Sequence, residues 1–180
     1  MKIINQAPSS RWLRKPVNCG LYRSWLLERE SLTRRLQRAS RTFKVQTARL
    51  TGSPPLPEEA KVVGLRQGER AGIREVVLCC NQKAVVFAHS VLPYRSLRGS
   101  WRGLTALGNK PLGAALFSDP RVRRTPLSFR KIDKRHALHK QAELHLQKLP
   151  SELWARRSVF YLGRAAILVT EMFLPEVLEL

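Results

Sequence analysis

Apolar positions along the chain change period several times, and each change marks an element. From Gly20 to Ser40, Leu21, Trp25, Leu32 and Leu36 recur at spacings near three, four and seven with Arg and Glu between them, which predicts an amphipathic helix broken near Ser31. Thr42 to Leu50 (TFKVQTARL) shifts toward period two, with Phe43 and Val45 on one side and Lys44 and Gln46 on the other, the pattern of a strand with one wet face. Gly52 to Pro57 (GSPPLP) is a turn or extended connection, because proline excludes a helix interior. A loop from Leu65 to Gly72 feeds the apolar run Ile73 to Cys80 (IREVVLCC). A polar turn, Asn81 to Lys83, then leads into Ala84 to Leu92 (AVVFAHSVL), which Pro93 stops. Two apolar runs joined so closely predict a hairpin.

Trp101 to Gly113 is a loop by its Gly and Pro content, with a short helix expected from Pro111 through Phe117 because proline suits a first helical turn. Val122 to Ile132 (VRRTPLSFRKI) reads as a strand that Pro126 confines to an edge or a bulge. His136 to Leu149 holds helix formers up to Pro150. Ser158 to Leu162, a Gly163-Arg164 turn and Ile167 to Pro175 (ILVTEMFLP) make a second hairpin. Strands joined by tight turns, with helices toward both ends, define an α+β fold: one domain, an antiparallel β-sheet and helices packed against it. The domain is expected to span residues 20–180, preceded by a basic segment, 1–19.

Two of the apolar runs carry a charge that their pattern does not explain. Glu171 is the one carboxylate inside ILVTEMFLP, sharing a face with Val169 and Phe173. Arg74 shares a face of IREVVLCC with Val76, Leu78 and Cys80, while Glu75 lies on the other with Ile73, Val77 and Cys79. A buried unpaired charge costs several kcal/mol or shifts its pKa, so each needs a partner. Two readings are open. Arg74 and either Glu171 or Glu75 neutralise one another as an ion pair, or Arg74 and Glu171 mark two ends of a buried pocket in which the guanidinium grips a ligand carboxylate bidentately. His89, alternating within the next strand, is a further candidate for that pocket.

Charge widens the choice of partner. Thirty-three Lys and Arg against 13 Asp and Glu give +20 and a pI near 11.3, which attracts nucleic acid, an anionic membrane surface or a small anionic substrate. No acid precedes Glu28, and Arg121 to Lys140 is densely basic. The doublets Arg34-Arg35, Arg123-Arg124 and Arg156-Arg157 lack interleaved aromatics and read mostly as solvated faces, so no specific nucleic-acid partner is expected. At 180 residues the chain is long enough for a real core. Cys19, Cys79 and Cys80 form neither a CxxC pair nor a disulfide framework and read as reduced, buried thiols of an intracellular protein. Met1 to Leu27 has charges where a signal peptide is apolar, and its Arg-rich, acid-free start has only a faint likeness to a transit peptide, since Trp12 and Trp25 suit a folded beginning. No apolar run is long enough to cross a bilayer. A cytoplasmic monomer is expected, with peripheral contact to an anionic membrane open to it.

Chemical motifs narrow the field mainly by elimination. The chain has no Gly-rich phosphate loop, nucleophile elbow or zinc pattern. His136, His139 and His145 lack a third ligand of suitable spacing, so no metal is expected and the three read as solvated.

Six stretches, in order, resemble the chorismate lyase family: WLLERESLTRRL (Trp25 to Leu36), GIREVVLC (Gly72 to Cys79), SVLP (Ser90 to Pro93), LGNKPLGAALF (Leu107 to Phe117), WARRS (Trp154 to Ser158) and LVTEMFLP (Leu168 to Pro175). Each is weak alone, but their common order and spacing are not. The resemblance, from Trp25 to the C-terminus, implies an α+β domain that converts chorismate to 4-hydroxybenzoate and pyruvate for ubiquinone synthesis, in a buried site without metal or cofactor. By similarity Arg74 binds the ring carboxylate and Glu171 the hydroxyl at the far end. Leu32 and Leu112 match positions that line the pocket or meet the ligand through their backbone. Leu32 stands where family members carry Met, a volume-conserving change. His89 stands where they can carry arginine, which puts a role in gripping the pyruvyl carboxylate in doubt. Lys131 to Leu149 is longer and more basic than the family pattern. Two other classes stay open: a non-catalytic ligand-binding domain of this fold, and a basic polyanion-binding protein. The lack of a helix-turn-helix segment argues against a complete transcription regulator.

Overall fold

The computed structural model describes residues 11–180. The strands are β1 (Phe43–Ser53), β2 (Ala71–Cys80), β3 (Lys83–Pro93), β4 (Arg123–Arg124), β5 (Ser128–Asp133), β6 (Glu152–Leu162) and β7 (Ala165–Phe173), all in one sheet. Its order is β1-β2-β3-β7-β6, every pair antiparallel, and the outer edge of β6 is shared by β4 and β5. Both expected hairpins form. Asn81 and Gln82 turn β2 into β3 with φ of 48° and 68°, and Gly163, at φ 60°, turns β6 into β7. Left-handed backbone of this kind matches the twist of the flanking strands. Pro126 falls between β4 and β5, so the run Val122 to Ile132 is two edge strands and not one. β6 begins at Glu152, six residues before the strand expected from Ser158.

The centre of the sheet is covered on both faces, which is why β2, β3 and β7 read as near-continuous apolar runs. On one face lie α1 (Arg23–Leu26), α2 (Leu32–Ala39), α4 (Tyr94–Arg98) and α5 (Leu112–Ser118). The expected amphipathic helix is interrupted at residues 27–31, and α2 starts where the Ser31 hydroxyl accepts the Arg34 N–H at 3.3 Å, an N-cap that satisfies one otherwise orphaned donor. On the reverse face lie α3 (Pro57–Ala60) and α6 (Ala137–Glu143), the latter through Leu138 and Ala142 against Val77 and Phe87. α6 stops well short of Leu149. Beyond it His145 turns in to stack on Phe87, ring centroids 5.6 Å apart, and Leu146 and Leu149 pack against the same cluster. Tertiary contacts end the helix there, against the local propensity. Outside the sheet, Leu13 pairs with Phe129 of β5 through two backbone hydrogen bonds of 2.7 and 2.8 Å.

Candidate functional site

Strand pairing sets the site in transverse rows. Arg74 stands beside Ser90 of β3, Val169 of β7 and Ser158 of β6, and in the next row Val76 stands beside Ala88, Glu171 and Arg156. Because side chains alternate, both rows face α2 and α5. Arg74 and Glu171 are therefore two strand spacings apart and two residues out of step, about 12 Å between Cα atoms. Between them is a cavity with an empty volume of about 540 Å³, its mouth included. Leu32, at the start of α2, and Leu112, at the start of α5, line it and are 3% and 6% exposed. The two helix starts meet closely: a Cβ on Gly113 would lie 3.2 Å from the Thr33 hydroxyl. Glycine lets α5 close over the pocket.

Neither charge is neutralised in the way the ion-pair reading required. Among the described residues no carboxylate pairs with Arg74. The buried guanidinium donates through Nη2 to the carbonyls of Gly108 and Lys110, at 3.2 and 2.8 Å, and burial pushes its pKa below the ordinary arginine value. Glu75 faces away. Glu171 is instead held by Arg156, whose Nε donates to Oε2 at 2.6 Å. Arg156 has no solvent exposure. Its Nη1 reaches the carbonyls of Trp25, Leu26 and Glu28 at 3.1, 3.3 and 2.6 Å, and its buried Nη2 has no hydrogen-bond partner among the described residues. Arg124 also lines the cavity, donating from Nε to the Ser158 hydroxyl at 2.8 Å and from Nη1 to the Arg29 carbonyl at 2.9 Å. Burial lowers its pKa to about 10, against the pull of Glu171.

Arg124 and Arg156 correct the expectation that their doublets are solvated faces. The missed signal was the alternation of WARRS, which puts Trp154, Arg156 and Ser158 on one side of a strand. The cavity thus holds three guanidiniums against two carboxylates, Glu30 and Glu171. One guanidinium is committed to Glu171, and Arg74 and Arg124 have no carboxylate partner among the described residues. The arrangement can take an anionic ligand with two separated negative groups.

His89 corrects another expectation. It lies on the reverse face, 3% exposed, with Nδ1 3.0 Å from Glu75 Oε1 and Nε2 3.2 Å from Glu59 Oε2. It does not line the pocket. Burial opposes its charging, but Glu59 and Glu75 outweigh burial and raise its pKa to about 9. The three C-terminal histidines are not solvated either. His145 Nε2 is 2.9 Å from Glu75 Oε2, His139 Nε2 donates to the Pro150 carbonyl at 2.8 Å with no exposure, and His136 Nε2 is 3.2 Å from Glu58 Oε1. Burial raises the Glu58 pKa, yet bonds from His136 and Trp12 and the nearby Arg130 bring it down to about 2. Among the described residues no group of three or more His, Cys, Asp and Glu could hold a metal ion. All three cysteines are free and buried, as the sequence implied.

The chain is also similar to known proteins. The profile of the family described as chorismate lyase matches residues 12–179. The chain is 48% identical over 170 residues to a probable chorismate pyruvate-lyase of Methylobacillus flagellatus, covering 94% of this chain and 96% of that protein. It is 45% identical over 179 residues to one of Nitrosospira multiformis, covering 98% and 99%. Among solved structures, the effector domain of PhnF from Mycobacterium smegmatis superposes with a TM-score of 0.56 at 18% identity, over 83% of this chain and 91% of that one. That likeness concerns the fold alone.

Proposed function

The chain belongs to the chorismate lyase family, and from that premise we infer that its pocket converts chorismate to 4-hydroxybenzoate and pyruvate, the opening step of ubiquinone synthesis. The observation that carries the assignment to this cavity is the unpaired, buried guanidinium of Arg74 facing the same space as Glu171. Chorismate bears two carboxylates, and the cavity offers two guanidiniums, Arg74 and Arg124, without a carboxylate partner among the described residues. In this reading Arg74 takes the ring carboxylate and Arg124 the enolpyruvyl carboxylate. Glu171 accepts a hydrogen bond from the 4-hydroxyl, and Leu32 and Leu112 pack against the ring.

The reaction asks for little beyond placement. The C4–H bond breaks and its electron pair forms the C3–C4 double bond, which makes the ring aromatic. The C3–O bond breaks, and the departing enolpyruvate takes a proton on its methylene carbon to become pyruvate. Held cations in a water-poor cavity stabilise the negative charge that builds on the leaving oxygen far better than solvent does. No residue here needs a cofactor for this step. A non-catalytic ligand-binding role has only the fold likeness in its favour, whereas relatives sharing nearly half of all positions are named as lyases.

Incubating the protein with chorismate and following 4-hydroxybenzoate by absorbance tests the reading, and a folded protein that makes no product would refute it. Arg74→Ala is expected to weaken substrate use by roughly 10- to 100-fold, the range for a hydrogen bond to a charged group. Unchanged turnover in both Arg74→Ala and Glu171→Ala would remove the site assignment even with the activity intact.

A further inference from the structure

A second concavity adjoins the pocket and has a different character. Arg14, Lys15, Arg23, Arg29 and Arg124 line it over a floor that includes Leu127 and Phe129, and none of its lining residues is acidic. Arg124 belongs to both spaces, so the groove lies at the pocket's flank. Its empty space, open solvent included, is about 1760 Å³ against about 540 Å³ for the pocket, so it is an open concavity. An extended surface suits it.

The same segment exposes aliphatic side chains. Val17 is 59%, Leu21 79% and Leu27 39% exposed, within eleven residues that also hold Arg23 and no acid. Leaving them in water forgoes their burial energy, and among the described residues none covers them. Aliphatic tips among cations, on a stretch without carboxylates, are the features by which a protein face settles on an anionic bilayer: the tips enter the headgroup boundary and the cations meet lipid phosphates. A nucleic acid would gain from the cations but nothing from Leu21 and Val17, and it would find no exposed aromatic ring here to stack on.

We propose that the face formed by residues 14–27, with the groove beside β4 and β5, docks on the surface of an anionic phospholipid bilayer, with the pocket's flank turned toward the lipid. Cosedimentation of the intact protein at physiological salt with vesicles of phosphatidylcholine alone, or mixed in equal parts with phosphatidylglycerol, tests this. Strong preference for the mixed vesicles is expected. Arg14→Glu with Lys15→Glu and Arg23→Glu should weaken it by about five-fold or more per cation, and Val17→Ser with Leu21→Ser, which keeps every charge, by about ten-fold. Circular dichroism and kcat at saturating chorismate without lipid should be unchanged in both variants, since none of these residues lines the pocket. Equal binding to the two vesicle types would overturn the proposal, and so would indifference to the serine pair. A loss of the same size from Arg66→Glu with Arg70→Glu, outside this face, would show that only net charge is read and would likewise overturn it.

Discussion

Arg156 and Glu171 form the one strongly held ion pair of the pocket, and the pair is asymmetric. Glu171 is partly open to the cavity, whereas Arg156 is sealed beneath it and also binds two carbonyls at the end of α1 and one of the α1–α2 connection. Removing Glu171 leaves Arg156 some of its partners; removing Arg156 strands a carboxylate and three carbonyls at once. Arg156→Met is accordingly expected to cost about 3–5 kcal/mol of stability, the range for breaking a buried pair from one side, read as a drop in the urea midpoint. Arg156→Met combined with Glu171→Gln should recover much of that stability and none of the turnover, which separates positioning from mere support of the fold. Arg74 and Glu171 were legible in the sequence because each is the single charge on an otherwise apolar face of its strand. Arg156 was not, since a neighbouring arginine made it look like surface charge, and only the pairing register sets it opposite Glu171.

At the scale of the element, β2 and β6 are polar on both sides. Arg74 and Arg156 enter the pocket, while their neighbours Glu75 and Arg157 face the reverse layer, where Glu75 meets His89 and His145 and Arg157 lies over Trp12 at 4.2 Å. Hairpins, helix break and proline edges were all readable from local pattern. The reverse-face network was not, because its members come from α3, β2, β3 and the segment after α6, and no local period links them. His89 gives that network a pH signature. Folding raises its pKa from 6.5 to about 9, so the native state holds the proton more tightly and the resulting stability is complete below pH 6.5. It is lost as pH climbs through 9, at about 1.4 kcal/mol per unit and about 3 kcal/mol in all. Denaturant melts across pH 6–10 are expected to show this decline in the wild type and to flatten in His89→Gln. An equal slope in both would mean that the imidazole is neutral.

For the whole molecule, the excess of +20 acts on encounter more than on chemistry. Cations at the groove and pocket raise the local concentration of a dianionic substrate, an effect that salt screens over a Debye length of about 8 Å at physiological ionic strength. kcat/KM for chorismate should therefore fall as salt rises while kcat holds nearly constant, and a flat profile would mean that the surface charge takes no part in substrate capture.

The adjacent thiols of β2 fall on opposite sides of the sheet. Cys79 packs among the reverse-face residues Phe87 and Met172, and Cys80 sits under α2 with its sulfur 3.9 Å from the Leu36 carbonyl. Burial raises both thiol pKa values, so each alkylates only when its own layer opens and exposes a thiolate. Two neighbouring atoms in sequence thereby report the breathing of two separate layers. With single-cysteine variants, 4-hydroxybenzoate in the pocket should slow modification of Cys80 and leave the rate at Cys79 as it was.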